Sequence, residues 1–346
     1  MAPRRHELET RILASFDELA AVAGEWDALW ARCPGATPFQ LAAWLLAWVQ
    51  AFSPACIRAL AVRSGGRLVG LAPFLIYPRE EERVLAFMGG GVSDYLDVLA
   101  EPQQEAAVVA AILAAIREID GWTTLDLTDL RADSLLRRAI GMAPSTLHDQ
   151  CSALLLPETR PELLQLLSKR QRANLRCARS RLQRSGGGQV ELATGETLPG
   201  FLDDLFRLHT RRWSQAGQSG VLAEEALRRF HQEASAQLLR KRILRLYRLR
   251  LAAGRTGAVV YSLFGGRTLF CYLQAYDPEL AWLSPGTQLT FFAMEDALEL
   301  GVRKFDFLRG QEAYKRHWCA TPEATYRIQL VREQLNARLS AQEIAA

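Results

Sequence analysis

The segment Ser284-Pro285-Gly286-Thr287 has the residue types of a helix start that can bind an anion. A serine side chain can cap a helix, and proline suits the first helical position because its missing N–H would lack a partner there. Gly286 allows a bound group to approach the backbone closely, and the free N–H groups of a helix start attract negative charge. We therefore predict that Ser284, Gly286 and Thr287 bind a phosphate-bearing ligand.

Two further side chains, His209 and Asp306, are candidates for proton transfer. A lone histidine on a helix is often structural, so His209 is an open candidate. Asp306 lies between two phenylalanines on a predicted short strand, where alternation directs its carboxylate away from both rings. Such a carboxylate needs a cation, with Arg309 or Lys315 available, and this pairing would lower its pKa. Asp306 is thus predicted to bind a substrate ammonium group first and to act as a base second.

A strongly basic segment, 168–184, precedes these residues and contains seven lysines and arginines and no acid. Leu175, Ala178 and Leu182 fall on one helical face, and a glycine triplet follows, which predicts a cationic amphipathic helix. Its charged face could be merely solvated, hold the phosphates of a ligand, lie on an anionic lipid surface, or bind tRNA. The segment lacks the interleaved aromatic residues that stack on single-stranded bases, which disfavours nucleic acid.

The elements that must position these residues occur twice along the chain. Two strands joined by a glycine-containing turn are predicted in each half, and each half then has a helix that leads into a strand. The corresponding segments are 57–77 and 245–264 for the strand pairs, 105–119 and 287–300 for the helices, and 122–127 and 304–308 for the following strands. The sequence therefore predicts two related halves, each with helices packed on a mixed sheet.

The first half has features that the second lacks. Trp26, Trp30, Trp44 and Trp48 recur at helical spacings of four, which is typical of a buried helix face. The glycine triplet 89–91 precedes a predicted strand rather than a helix, so it lacks the context of a phosphate-binding loop. We interpret the tryptophans as core and the glycines as a flexible turn.

Composition agrees with two globular domains, since 346 residues with 49 % hydrophobic and 23 % charged side chains can form two cores. We predict a first domain at 1–157 and a second at 158–346, with a basic connector helix at 163–185. The apolar run 106–116 is about half the length of a membrane helix, and the first ten residues have no signal-like apolar region. A cytoplasmic protein is expected, with peripheral contact at the inner membrane left open.

The six cysteines occur singly, without a CxxC pair or a Cys/His cluster at ligand spacing. This distribution disfavours both a disulfide framework and a metal site. We therefore expect no metal and no permanently bound cofactor.

The chain resembles GNAT-superfamily acyltransferases of the FemAB-like and CelD/BcsL-like type, which carry a BioF2-like acetyltransferase domain. The resemblance extends from about Phe16 to about Leu330 and is carried by 272–278, 283–289, 304–310 and the segment from Glu312 to Trp318. It implies an α/β (α+β) fold with two tandem GNAT-like domains. Each would have a mixed, mostly antiparallel sheet flanked by helices, and the basic helix would join them.

The resemblance also implies roles for residues of the second half. By analogy the strand Leu269–Ala275 would supply a backbone oxyanion donor, and Gln274 near its end would help to position the ligand. His209, Arg212 and Trp213 match a His-x-x-Arg-Trp pattern of the family, so they are expected to line the active site, Arg212 and Trp213 on the substrate side.

The strongest local match is the Gly-x-x-x-Tyr-Lys-x-x-Trp segment that begins at Gly310. Tyr314 is expected to protonate a leaving thiolate or to bind the acceptor. Lys315 is expected to bind phosphate or to pair with Asp306, and Glu312 to contact substrate. In the first half, Asp94, Tyr95 and Asp97 match a Gly-x-x-x-x-Asp-Tyr-x-Asp-like segment, which implies that they point into an acceptor pocket between the halves.

The function that the resemblance implies is N-acyl transfer from an acyl-coenzyme A or acyl-carrier thioester to a primary amine. The acceptor would be a cell-envelope precursor such as an amino sugar, a polysaccharide unit or an amino-lipid, including a sphingoid-type amine. One alternative is a FemAB-type transferase that uses aminoacyl-tRNA; another is a non-catalytic binding module in polysaccharide biosynthesis. The long Arg/Gln-x-x-Gly-x-Gly loop of ordinary GNAT enzymes is missing, which leaves the donor open.

Overall fold

The computed structural model describes residues 7–142, 144–215, 217, 220–252 and 254–345. The chain divides into two compact units, which we call the first unit (Met1–Asp149 with Ala324–Ala346) and the second unit (Gln150–Glu323). The contact-based division differs from the predicted domains in two respects, and the first is that the boundary lies at 149/150 rather than at 157/158. The second is that the C-terminal segment from Ala324 onward belongs to the first unit, because its strand and helix pack there.

The strands are β1 (Leu8–Leu13), β2 (Ala59–Ser64), β3 (Arg67–Ala72), β4 (Phe74–Arg79), β5 (Glu82–Phe87), β6 (Leu99–Ala100), β7 (Thr124–Arg131), β8 (Ser145–Leu155), β9 (Gly188–Leu192), β10 (Leu244–Leu251), β11 (Thr256–Gly265), β12 (Thr268–Tyr276), β13 (Lys304–Arg309) and β14 (Thr321–Val331). The α-helices are α1 (Phe16–Ala21), α2 (Ala23–Arg32), α3 (Ala42–Phe52), α4 (Glu105–Glu118), α5 (Leu135–Ile140), α6 (Arg160–Leu166), α7 (Lys169–Arg184), α8 (Leu198–Gln215), α9 (Glu225–Arg240), α10 (Pro285–Glu299), α11 (Ala313–Arg316) and α12 (Arg332–Ala345). None of the helices in these described ranges is both long and apolar enough to cross a membrane.

In the first unit one sheet has the order β1-β2-β3-β6, and a second group of strands has the order β4-β5-β7-β14. Within the second group only β5 and β7 run parallel. The second strand of the predicted pair at 57–77 is divided at Pro73 into β3 and β4, which join different sheets. Proline lacks the N–H that a continuous ladder needs.

The core of the first unit forms around α4, whose Val108, Ile112 and Ile116 pack with strand residues of both groups. Trp26 and Trp44 are fully buried, which confirms the predicted core role of the tryptophan stripe at these two positions. Trp30 and Trp48 are partly buried.

In the second unit the strands follow the order β8-β13-β12-β11-β10-β9, and only the pair β12 and β13 is parallel. The helices α7 and α10 pack on one face of this sheet around Leu289 and Met294. The helix α9 contacts Tyr261 from the other face through His231. The mixed, mostly antiparallel sheets flanked by helices that the sequence predicted are confirmed.

The basic segment is helical, as predicted, and Leu175, Ala178 and Leu182 form its buried face together with Gln171. The predicted connector at 163–185 is two helices, α6 and α7, separated at Leu167 and Ser168. The side chain of Ser168 caps α7 by accepting a hydrogen bond from the Gln171 amide, 3.1 Å long.

Candidate functional site

The parallel strands β12 and β13 pair over only three positions, from Thr268/Lys304 to Phe270/Asp306. Both strands continue beyond the last pair, so a gap opens between them. In β13 the pairing with β8 shifts register after Asp306, and Leu308 has a positive φ of 58°. The departure of β13 from its neighbours leaves the adjacent edge of β12 available to a ligand.

A β-bulge lies in β12 at the same level. Tyr261 pairs with Leu273 and Ser262 pairs with Cys271, so Tyr272 is an extra residue in β12. The extra residue shifts the alternation of side chains by one, so residues after the bulge point to the face opposite to the one that regular alternation would give them. This reversal explains why Gln274 reaches the face covered by α10. A Cβ atom placed on Gly286 would lie 2.7 Å from Gln274 Nε2.

The start of α10 differs from the prediction in one contact. Ser284 makes no side-chain capping bond, so the predicted cap was wrong, whereas Pro285 does lie in the first helical turn. The reason is the preceding 3₁₀ turn: the Ser284 N–H bonds to the Ala281 carbonyl and the residue adopts the left-handed conformation, with φ 51°. Its hydroxyl instead accepts a 3.5 Å bond from Arg181.

A polar cavity of about 230 Å³ lies at this helix start. It is lined by residues of α7, of the α10 start, of α11 and of the two positions after α11: Gln171, Asn174, Arg181, Ser284, Thr287, Tyr314, His317 and Trp318. Arg181 Nε is buried and has no hydrogen-bond partner among the described residues. The first turn of α10 contains no acid. The cavity therefore combines an unused arginine N–H with a helix start, and this arrangement can accept an anion.

Tyr314 lies in this cavity and close to β12. Burial, together with the nearby Cys271 and Glu312, raises the pKa of Tyr314 far above its ordinary value, and Arg212 opposes this effect. The guanidinium of Arg212 lies over the ring of Tyr276, 5.3 Å from its centroid. A phenol with a raised pKa remains protonated at neutral pH, so Tyr314 can donate a hydrogen bond to a ligand.

Lys315 is only 3 % exposed and is fully engaged by its own loop. Its ammonium donates to the carbonyls of Leu308 and Gly310, each at 3.1 Å, and to that of Arg309, and it pairs with Glu312 at 2.9 Å. The structure thus contradicts the expected pairing with Asp306, and the ammonium fastens the loop rather than facing the cavity. The cause is the tight turn after β13, which directs three carbonyls inward.

Asp306 lies at the last paired position before the gap and is 1 % exposed. Its carboxylate accepts a 2.9 Å bond from the Leu308 amide and lies 3.5 Å from the Lys304 ammonium. Lys304 is therefore a cation beside Asp306, and the expected pairing with Lys315 was wrong, whereas the pairing with Arg309 stays a prediction. The bond from the Leu308 amide to Asp306 supports the backbone where β13 leaves β12.

His209 forms a buried pair with Trp213 on α8. His209 Nε2 accepts a 3.0 Å bond from Trp213 Nε1, which places the imidazole proton on Nδ1, a buried atom without a partner among the described residues. Burial, and to a lesser degree Arg212, lowers the pKa of His209 to about 4. Because its basic nitrogen is already engaged, His209 is poorly arranged to accept a proton from substrate.

A second histidine, His231, lies in an aromatic cluster at the bulge. Its ring is 5.6 Å from that of Tyr272 and 5.9 Å from that of Tyr261, and the two tyrosine rings are 5.6 Å apart. Burial lowers the pKa of His231 to about 3. These contacts hold the bulged residue from the face opposite to α10.

The predicted residues of the first half lie together within the first unit. Tyr95 and Asp97 line a cavity of about 230 Å³, together with Arg131. Asp94, which precedes Tyr95 in the sequence, is buried. Asp97 accepts hydrogen bonds from the amides of Val98 and Leu135, at 2.9 and 2.7 Å, and burial raises its pKa. The role of these residues in an acceptor pocket stays a prediction.

The structure therefore assembles part of the predicted set. Tyr314, Ser284 and Thr287 share one cavity, and Gln274 meets Gly286 beside it. Sequence reasoning missed Asn174 and Arg181 as individual cavity residues. Their spacing of seven on a basic helix places them on one face and was a usable signal. No sequence signal pointed to the bulge at Tyr272.

Comparison with known proteins agrees with this geometry. Residues 169–316 match the family model described as an acetyltransferase (GNAT) domain. The second unit therefore contains a GNAT domain. No curated protein matches the chain by sequence.

Solved structures extend the likeness to nearly the whole chain. FemX is 14 % identical, with a TM-score of 0.65 over 93 % of this chain and 97 % of FemX. The C-terminal domain of a putative lysylphosphatidylglycerol synthetase from Agrobacterium fabrum is 12 % identical, with a TM-score of 0.58 over 94 % of this chain and 96 % of that one. A tandem GNAT protein from the clavulanic acid biosynthesis pathway is 17 % identical, with a TM-score of 0.51 over 94 % and 99 %. The fold is that of tandem GNAT proteins.

Proposed function

We propose that this chain is an N-acyltransferase that moves an acyl group from a thioester of coenzyme A, or of a carrier protein, to a primary amine. The observation that carries this proposal is the gap between β12 and β13, which lies beside the polar cavity at the start of α10. Tyr314 lines the cavity and is close to Cys271 of β12. A donor can thus place its phosphate in the cavity and its thioester in the gap.

The donor would be bound by polar groups that line the cavity, among them Arg181 Nε, which has no partner in the described part of the chain. Arg181 and the free N–H groups of α10 would bind phosphate, with Asn174 and Thr287 beside them. The acyl carbonyl would lie against the open edge of β12, where a backbone N–H can stabilise the developing oxyanion. Binding and positioning of this kind account for much of the rate enhancement in acyl transfer.

The reaction needs one proton to leave the amine and one to reach the sulfur. The amine nitrogen attacks the carbonyl carbon to form the C–N bond and the C–S bond breaks. The departing thiolate accepts a hydrogen bond from the protonated Tyr314 and then takes its proton from solvent. Glu312 is an exposed carboxylate near Tyr314 and can receive the ammonium proton. His209 is assigned a supporting role because its Nε2 lone pair is occupied by Trp213. Asp306 is assigned the support of the backbone at the gap.

For the acceptor we propose an amine of a cell-envelope precursor: an amino sugar, a polysaccharide unit or an amino-lipid. The support is the shared fold with FemX and with a putative lysylphosphatidylglycerol synthetase. In the second unit we propose Arg212, which acts on Tyr314, and Trp213, which bonds to His209, as acceptor contacts. A role of Asp94, Tyr95 and Asp97 in acceptor binding stays a prediction. We also propose that the protein acts in the cytoplasm, where coenzyme A thioesters are made.

An aminoacyl-tRNA donor is the second candidate. It is supported by the fold shared with FemX, at a TM-score of 0.65, and by the exposed cations of α7. The two donors make different demands on binding. A tRNA would contact many phosphates and lose affinity steeply as salt rises, whereas a thioester held by one anion site would not.

The deciding experiment titrates the purified protein with acetyl- and long-chain acyl-coenzyme A by calorimetry and follows thiol release with a panel of amines. We expect saturable binding and thiol release that requires an amine. Salt-sensitive tRNA binding without any coenzyme A binding would overturn the proposal in favour of aminoacyl transfer. Absence of binding to either donor would indicate a non-catalytic module.

A further inference from the structure

The outward face of α7 carries cations without counter-ions. Lys169, Arg170, Arg176, Arg179 and Arg184 are exposed, and none forms an ion pair within the described residues. The helix contains no acid, so like charges three and four positions apart repel one another, which disfavours the isolated helix. Many arginines elsewhere in the chain do pair with carboxylates.

The other two arginines of α7 face inward and have defined tasks. Arg172 donates to the carbonyls of Leu164 and Leu167 at the end of α6, at 3.2 and 3.0 Å. Arg181 faces the polar cavity and bonds to Ser284. Internal support and the cavity thus account for two cations, and the outward row is left for a partner.

Exposed apolar side chains flank this row at both ends. Leu166, just before α7, is 47 % exposed, and Trp282 is 54 % exposed. Trp282 belongs to the 3₁₀ turn Pro278–Leu283, which packs against α7, and the next residue but one, Ser284, contacts Arg181 near the far end of the helix. Tryptophan favours the headgroup region of a bilayer, and basic clusters favour anionic lipid surfaces.

We propose that the second unit docks on bilayers rich in anionic phospholipid through the outward face of α7, with Trp282 and Leu166 entering the headgroup region. The apolar face of α7 is buried in the protein, so attraction is electrostatic and the helix does not insert. An RNA partner is less well matched, because base stacking would use several aromatic side chains and this surface offers one. Docking does not depend on the proposed reaction, and it would bring a lipid-borne amine beside the cavity that Arg181 lines.

The test measures co-sedimentation of the full chain with vesicles of phosphatidylcholine alone and of phosphatidylcholine mixed with phosphatidylglycerol. We expect binding only to the anionic vesicles, weakened by added salt. Changing Arg170, Arg176, Arg179 and Arg184 together to Gln should weaken this binding about a hundredfold or more, since each cation near an anionic surface contributes several-fold. Trp282→Ala should weaken it about tenfold and remove a blue shift of tryptophan emission on binding.

The matched control changes four exposed, ion-paired arginines to Gln: Arg11, Arg138, Arg207 and Arg303. It removes the same charge, so its vesicle affinity should fall by less than about threefold if the site is local to α7. Equal losses in the two quadruple variants would overturn the proposal, as would equal binding to both kinds of vesicle. Salt-sensitive binding of bulk tRNA without vesicle binding would overturn it in favour of RNA.

Discussion

The helices α4 and α10 occupy corresponding places in the two units, yet the first turn of α4 contains an acid and that of α10 does not. At the start of α4, Glu101 is 6 % exposed and pairs with Arg32 at 2.8 Å and Arg67 at 3.0 Å. Glu105 in the first turn pairs with Arg138 at 3.4 Å. The protein's own carboxylates thus occupy the positive end of this helix.

The start of α10 has no such carboxylate, and Arg181 lies beside it with an unpartnered Nε. The sheets of the two units also differ in whether the protein's own chain occupies the edge between the diverging parallel strands. In the first unit the chain around Leu96 bonds to the Asp129 carbonyl of β7 beyond the short pairing with β5, so that edge is occupied by the unit's own chain. The difference teaches that, of the helix starts of α4 and α10, only the latter is left without a carboxylate of the protein's own among the described residues. This supports the proposal that the donor binds in the second unit.

The sharpest test of this comparison is Tyr314→Phe, which keeps the cavity intact and removes only the hydroxyl donor. We expect kcat to fall about 100-fold, in the range of a lost general acid or oxyanion donor, with donor affinity nearly unchanged. Steady-state thiol release with saturating amine measures it. Tyr77→Phe in the first unit is the control and should retain full activity. A fully active Tyr314→Phe would place the reaction outside the gap.

The two units should also respond differently to pH. The pKa values of His209 and His231 are lowered to about 4 and about 3, so below pH 6.5 the unfolded state binds protons that the folded state does not. Stability of the second unit should therefore fall as the pH drops from about 6.5 toward 4. The raised pKa of Asp97 instead removes stability from the first unit as the pH rises through it.

At one pKa unit per 1.36 kcal/mol, His231 alone would account for about 3 kcal/mol at most at pH 4. Hydrogen exchange of peptides from α8, α9 and β12, compared with peptides from α4 and β7, measures each unit by itself. His231→Phe should flatten the acid dependence of the second unit and leave that of the first unchanged. An identical acid response in the two units would contradict the assignment.

A third change makes the surroundings of the α10 start resemble those of α4 by placing an acid beside it, on α7. Arg181→Glu removes a cation from the cavity and introduces a negative charge, so donor affinity should fall about 30-fold, as expected for loss of a charged hydrogen bond. Calorimetric titration with acetyl-coenzyme A is the measurement. Arg176→Glu, on the outward face of the same helix, changes the charge equally and should bind the donor almost as the unchanged protein does. Equal losses would mean that only net charge matters.

The smallest expected effect concerns Gly286. Its Cβ would meet the flexible end of Gln274, which can move, so Gly286→Ala should weaken donor binding about fivefold without lowering Tm. Combining it with Gln274→Ala should recover most of the loss, and the double-mutant cycle measures this coupling. Additive effects would show that the glycine acts on the ligand directly and not through Gln274.

Local patterns predicted the repeated elements well. The hairpins, the two helix–strand pairs and the buried face of α7 depend on alternation and helical spacing, which short stretches of chain determine. Side-chain partners were predicted less well. Strand alternation places Lys304 on the same face as Asp306, yet the ion pair between them was not predicted. The Ser284 hydroxyl meets Arg181 instead of capping α10, and no spacing rule joins these two distant residues.

The sequence by itself determined two α/β halves, a basic helix and a glycine-containing helix start in the second half. Only the tertiary structure decided which groups remain available to a ligand. The Lys315 ammonium is bound by the carbonyls of Leu308, Arg309 and Gly310, whereas Arg181 Nε has no partner among the residues that the structure describes. The reason is that a buried polar group bonds to whatever the fold places within reach, and that choice depends on the packing of distant segments.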